Sequence, residues 1–302
     1  AGMIRLATRG SALARWQAEE VGRLLVGAHP GLEVSLVVVE TMGDLRLDRE
    51  VWELGGQGVF VKEVQVAVLS GRADLAVHSA KDLTSTTAPG LALAAIPVRA
   101  DPRDALVGRS LADLAEGAMV ATGSVRRRAQ LAALRPDLTF VGLRGNIATR
   151  LGKVPVDGSV LVARAALDRL GLAGWAAETL EPSVMLPQVG QGAIGVECRA
   201  DDERSRTLLA VIDDPTTSVA VRTERAFLAH LGGGCDLPVG AYATVEGDRV
   251  AIEGMVAAVD GSAVLRDRRS GRRAEATAIG EALAATLLDD AGGRALLDRM
   301  SR

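Results

Sequence analysis

The chain has two cysteines, and one of them, Cys235, lies in "HLGGGCDLPVG" (residues 230–240), behind three glycines and ahead of an aspartate. A thiol on such bare backbone leaves three readings open: a nucleophile, a point of covalent attachment, or an exposed bystander. The other, Cys198, alternates with Ile194 and Val196 in "AIGVEC" and reads as a buried thiol on a strand. Asp82 closes "HSAKD" (78–82) after the strand-like "ADLAV", beside Lys81, one of three lysines in the chain. Such a carboxylate is a surface ion pair of small worth or, in an arginine-rich cleft, a group that holds developing positive charge and moves a proton. His78 has no partner at metal-ligand spacing, so a hydrogen-bonded structural histidine is expected and no metal site.

Three turns carry hydroxyl groups and arginines. "ATRGSA" brings Arg9 and Ser11, "ATGSVRRR" brings Thr122, Ser124 and Arg126 to Arg128, and "LRGNIATR" brings Arg144 and Arg150 around Gly145. A helix N-terminus presents unpaired N–H groups to an anion, and a guanidinium fork matches a carboxylate or phosphate. Taken singly, each is a routine capped helix. Together, at the ends of apparent strands, they follow the rule that open α/β sheets bind ligands there, and they imply a polyanion with several separated charges. The run Arg126–Arg128 raises nucleic acid as a ligand, but the net charge of −3 and an aromatic content of 2% argue against it. "GQGAIG" (190–195) spells a dinucleotide fingerprint but leads into a strand, so it is not one.

These residues need an α/β framework. With 302 residues, 48% of them hydrophobic, the chain is long enough for two or three domains. "MIRLAT" reads as a strand and "SALARWQAEEVGRLL" as a helix capped by Ser11, with Leu13, Trp16, Val21 and Leu24 on one face. "EVSLVVVE" (33–40) is a continuous apolar run suited to a strand covered on both faces, and the alternation with "FVKEVQVAVLSG" and "ADLAVHS" predicts a parallel sheet. The pattern restarts past "PVRADPRDALVG" (97–108). We expect a first domain of residues 1–96 and 190–214, a second of 97–189, and a small α+β third of 215–302 that carries Cys235. Two cysteines make no disulfide framework, and the opening residues hold no long apolar run behind basic ones. The expectation is a cytoplasmic protein without a leader.

The motifs "ATRGSALARWQ", "GGQGVFVKE", "ADLAVHSAKDL", "DPRDA", "LRGNIATRL", "LPQVGQGAIGVECR" and "GGGCDLPVGAYA" closely resemble the porphobilinogen deaminase (hydroxymethylbilane synthase) family, in its order and over nearly the whole chain. The resemblance implies an α/β protein of three domains: two lobes like those of periplasmic binding proteins around a cleft, and a small C-terminal α+β domain. It implies a transferase of heme-type tetrapyrrole biosynthesis, acting as a monomer on porphobilinogen, with no nucleic acid or membrane partner. Four units would be joined head to tail with loss of ammonia, and hydroxymethylbilane released by water. Cys235 matches the cysteine that holds a dipyrromethane cofactor by a thioether, and Asp82 matches the catalytic aspartate. Ser79, Lys81, Thr122, Ser124, Arg126, Arg127, Arg144 and Gly145 match cofactor-binding positions. Arg9, Ser11, Gln17, Arg144, Arg150 and Arg169 match substrate-binding ones. His78 aligns with a cleft residue, and Phe60 with the loop near the site. The chain departs from the family pattern at Met42, Gln57, Arg164 and Ala166. The rival reading is a non-catalytic two-lobed binder of small anions, which has no need of an accessible cysteine.

Overall fold

The computed structural model describes residues 2–41, 58–233 and 236–299. Its strands are β1 (Met3–Arg9), β2 (Glu33–Val39), β3 (Leu75–Ser79), β4 (Leu91–Ala95), β5 (Asp104–Gly108), β6 (Met119–Ala121), β7 (Thr139–Val141), β8 (Ser159–Ala163), β9 (Ala176–Leu180), β10 (Ile194–Arg199), β11 (Val239–Glu246), β12 (Arg249–Ala257) and β13 (Val264–Arg272). The chain divides into two compact units, Ala1–Ala100 with Ala193–Ser218, and Asp101–Gly192 with Val219–Arg302.

The first unit is built on a sheet of order β2-β1-β3-β10-β4. β1 runs parallel to β2 and β3, while β10 runs antiparallel to β3 and β4. The helix Ala12–Ala28 covers one face, where Val21 and Leu25 pack on Ile4, Leu6, Val77 and Val196. The helix Lys62–Leu69 covers the other, with Val64 and Val68 on Ala7 and Ala76. Adjacent residues of β1 and β3 thus point into different cores, as strand alternation requires.

Three expectations change here. The sheet is mixed rather than parallel, because β10 enters from the far side of the chain. β2 is an edge strand, with Val39 its one buried residue and Val38 44% exposed; an apolar run does not reveal whether a neighbour covers it. The buried stripe of Ala12–Ala28 is Gln17, Ala18, Val21, Gly22 and Leu25. A polar residue in that stripe disguised it, and the expected Leu13–Trp16–Leu24 face lies only partly covered.

In the second unit, β6 runs parallel to β7 and β8 in a sheet of order β7-β6-β8-β5-β9, while β5 is antiparallel to β8 and β9. Alternate residues again fill two cores, Val107 and Val160 on one side, Leu106 and Leu161 on the other. Beside this sheet, β11-β12-β13 form an antiparallel meander. The helices Pro215–His230 and Ala276–Ala285 cover its apolar face, packing Phe227 and Leu283 in one core with Ile252 of β12. Gly254 admits the ring of Phe227; a β-carbon there would lie 2.6 Å from it. Met255 and Ala257 share a core with Ala129 and Leu186, which fastens the meander to the helix Val125–Leu134.

Candidate active site

In the first unit the predicted residues gather at the C-terminal ends of β1 and β3. Arg9 ends β1, and its guanidinium lies over the Phe60 ring, 4.4 Å from the centroid. Arginine on an aromatic face keeps its charge while its plane is fixed. Ser11 caps Ala12–Ala28, its Oγ accepting from Ala14 N–H at 3.2 Å. Gln17, 2% exposed, reaches across to Ser79 at the end of β3, with 2.9 Å from its Nε2 to Ser79 Oγ. The chain then makes a single 3-10 turn, Ala80–Asp82, held by Ala80 N–H donating to Ala193 O at 2.9 Å. Lys81 and Asp82 are half-buried. Leu83 turns back into the protein over Gly195, where a β-carbon would lie 2.9 Å from the leucine side chain.

His78 is the structural histidine expected. It is buried, with Nε2 2.9 Å from Glu197 Oε2, and Gln65 Nε2 donates to the same oxygen at 2.9 Å. Cys198 is fully buried among Ile194, Val196 and Leu25. Burial pushes its thiol up to about 11, so it is inert as a nucleophile near neutral pH.

In the second unit the predicted residues stand at the ends of β6, β7 and β8. Thr122 Oγ1 accepts from Ser124 N–H at 3.1 Å, and Ser124 caps Val125–Leu134 by accepting from Arg127 N–H at 3.3 Å. Gly123 must be bare, since a β-carbon would sit 2.5 Å from Leu143 O. After β7, Arg144 and Gly145 (φ 114°) lead to Asn146, which caps the short helix Ile147–Leu151. Arg150 Nε donates back to Gly145 O at 2.8 Å. Arg169, at the end of the helix after β8, donates to Gly192 O at 2.8 Å.

Arg126 and Arg127 do not stand as open forks. Both are buried, and both bind Asp104 at the start of β5. Arg126 Nη1 lies 2.8 Å from Asp104 Oδ2 and 2.7 Å from Leu186 O, and Arg127 Nε lies 2.8 Å from Oδ1. Gln191 Nε2 adds 3.1 Å to Oδ1 and 2.7 Å to Pro102 O. Burial alone would raise the Asp104 carboxyl, but the two guanidinium groups win and hold it far below the ordinary range. Two fixed cations then share one carboxylate, and the trio keeps a positive charge. Arg126 Nε is buried with no partner among the described residues.

Sequence reasoning missed both carboxylate nodes, Asp104 and Glu197. The available signal was an acidic residue inside an apolar strand: alternation that puts Ile194, Val196 and Cys198 on one face puts Glu197 on the other.

Cys235 lies outside the described residues, as do Met42 and Gln57. The flanks of the cysteine are described. Pro215–His230 ends in a Schellman motif: Gly232, at φ 71°, donates to Ala229 O and Gly233 to Leu228 O. Gly233 has no room for a side chain beside Leu237. These two glycines therefore serve the backbone. Gly240, on β11, packs on the arginine turn; a β-carbon there would lie 3.4 Å from Arg126 Cδ. Of the remaining departures, Arg164 pairs with Asp168 at 2.8 Å and Ala166 is buried. Among the described residues no group of three or more His, Cys, Asp or Glu side chains forms a metal site, and no helix is long and apolar enough to cross a membrane.

Comparison with known proteins agrees across the chain. The family described as "Porphobilinogen deaminase, dipyromethane cofactor binding domain" matches residues 4–207, and "Porphobilinogen deaminase, C-terminal domain" matches 218–289. The curated porphobilinogen deaminase of Roseiflexus castenholzii is 51% identical over 299 residues, covering 97% of this chain and 98% of its own. That of Syntrophotalea carbinolica is 50% identical over 299 residues, covering 97% and 95%. Among solved structures, the methionine-binding protein MetQ gives a TM-score of 0.44 at 13% identity, over 69% of this chain and 88% of that one.

Proposed function

The chain belongs to the porphobilinogen deaminase family, and from that membership we propose that it joins four porphobilinogen molecules head to tail and releases hydroxymethylbilane. The observation that carries the reading is the gathering of carboxylate-binding groups at strand ends in both α/β sheets, with one half-buried carboxylate, Asp82, among those of the first.

A dipyrromethane fits the residues present. Each of its pyrroles bears an acetate and a propionate, so it is a polyanion. Asp104 carries one negative charge against the two positive charges of Arg126 and Arg127, and the surplus favours an anion bound near that turn. We assign its covalent attachment to Cys235. The contact of Gly240 with Arg126 supports this, because it ties the strand that follows the cysteine loop to the arginine turn. When bound, the group supplies the free pyrrole carbon at which the next unit is added.

The protein's own groups divide the work. Thr122, Ser124, Arg144 and Gly145, with Ser79 and Lys81, hold the primer's acid groups, and the buried pair Arg126 and Arg127 contributes its surplus positive charge to the same end. Arg9, Ser11, Gln17, Arg150 and Arg169, with Arg144, receive the incoming unit. The Asp82 carboxylate balances positive charge on a pyrrole N–H and takes up and returns the proton exchanged in each addition. Functionally the chain has three parts, with residues 1–96 and 190–214 carrying the carboxylate, 97–189 the arginines and 215–302 the tether. We propose that it works as a monomer in the cytoplasm.

Intact mass tests the reading. The active protein should be heavier than its sequence by two pyrrole units, and Cys235→Ser should lack them. Asp82→Ala should keep the added mass and fold but lose at least 99% of turnover, in line with removal of a general acid–base group worth roughly 10²-fold or more. A protein of unmodified mass that binds small anions without consuming porphobilinogen would establish the binder instead.

A further inference from the structure

We propose that Glu197 is a positioning residue for the reaction, a buried carboxylate that fixes the Asp82 turn and the Phe60 segment to one point. The inference rests on the assignment of Asp82 as the reacting carboxylate.

Glu197 is 1% exposed, at the middle of β10. β10 pairs with β3 so that Gly195 faces His78 and Glu197 faces Ala76. His78 and Glu197 are therefore diagonal neighbours on one face, within reach of long side chains. That face is the one covered by Lys62–Leu69, since Ala76 packs there with Val64 and Val68. Gln65 descends from this helix, 7% exposed, to the same Oε2 that receives His78. One oxygen thus holds two elements. Hydrogen bonds to a buried carboxylate are strengthened by the low local dielectric, so each of the two is a firm hold.

Both elements lead directly to the site. Beyond His78 the chain has one residue of strand and then the turn that carries Asp82. Before Lys62–Leu69 comes the Gly58–Val61 turn, joined to the helix by Lys62 N–H donating to Gly58 O at 3.2 Å, and carrying Phe60 beneath Arg9. The bare Gly195 completes the device by letting Leu83 close over the strand. Glu197 acts through these two elements: it sets where Asp82 and the Arg9–Phe60 stack stand.

The test uses the full-length, primer-loaded enzyme, with turnover expressed per loaded, folded molecule. Glu197→Ala should lower kcat roughly 10- to 100-fold, the scale expected from a small misplacement of a reacting group, with KM within about threefold of wild type. Primer mass should be unchanged. Glu197→Gln, which keeps an acceptor for both donors, should recover most of the lost kcat. Gln65→Leu removes one donor in a shape the helix tolerates and should lower kcat less than Glu197→Ala. It stands in should the alanine variant fail to fold. Unchanged kcat in the folded variants overturns the proposal. So does a fall confined to primer loading or to the folded fraction, which would make Glu197 structural only. If Asp82→Ala keeps normal turnover, the assignment of Asp82 fails instead, whatever Glu197 does.

Discussion

In the first sheet the antiparallel fourth strand, β10, sets Glu197 against an imidazole and an amide; in the second, β5 occupies the same place and sets Asp104 against two guanidinium groups. The strand orders correspond, β2-β1-β3-β10-β4 with β7-β6-β8-β5-β9, and in each the inserted strand enters just after the chain passes from the other unit. One topological position therefore hosts a buried acid twice. The partners decide what it does. Arginine keeps its proton at any ordinary pH, so Asp104 orders two cations and leaves the trio with surplus positive charge. Glutamine brings no charge, and its bond to Glu197, with that of His78, ties two elements to one carboxylate. On the proposed function, the second unit supplies charge to a ligand and the first holds a carboxylate still.

The sharpest way to break this contrast is to remove each acid. Asp104→Ala leaves two buried guanidinium groups uncompensated and should cost about 3–5 kcal/mol, read by denaturant unfolding. Glu197→Ala strands hydrogen-bond donors and should cost about 1–3 kcal/mol. Equal losses would mean that the two nodes do the same job.

The next effect is on pH. Asp104 is held below its unfolded value, so its stabilisation is complete above the ordinary carboxylate range, about pH 4, and drains away as pH falls below it. Cys198 has the opposite sign. Its thiol is raised to about 11, so its contribution is complete below the unfolded value of about 8.5 and is lost as pH climbs from there towards 11. Hydrogen exchange should show β5 and β8 losing protection in acid and β10 losing it in alkali. Asp104→Asn should flatten the first limb and Cys198→Ala the second. An acid limb unchanged in Asp104→Asn would assign it to other carboxylates.

How much of this was legible in the sequence follows from what a pattern records. Capped turns are local, so Ser11 and Ser124 could be read from short strings and stand as expected. The strand nature of "AIGVEC" and the burial of Cys198 were also legible, because period-two alternation reports a face. Edge position and strand direction are not local, and β2 and β10 departed from expectation for that reason. The arginine turn was half legible. "ATGSVRRR" announces cations at a helix start, but Asp104 lies twenty-two residues before Arg126 and arrives through sheet pairing. No motif links them; only the fold does.

The smallest effect probes the same contrast at the helix starts. Removing a serine cap costs about 1 kcal/mol on average. Ser11→Ala should reach that figure, since Ser11 Oγ is what receives Ala14 N–H at the start of Ala12–Ala28. Ser124→Ala should cost less, about 0.5 kcal/mol. The residue it caps, Arg127, is already pinned from its other end by Asp104 and by Leu161 O at 3.1 Å, so the first turn cannot fray freely when the cap is lost. The order should reverse in an Asp104→Asn background, where the serine becomes the stronger of the two holds on that turn. Thermal melts of the single and combined variants decide it. A Ser124 cost that stays the same in both backgrounds would show that the carboxylate node orders the arginine side chains alone and not the helix that bears them.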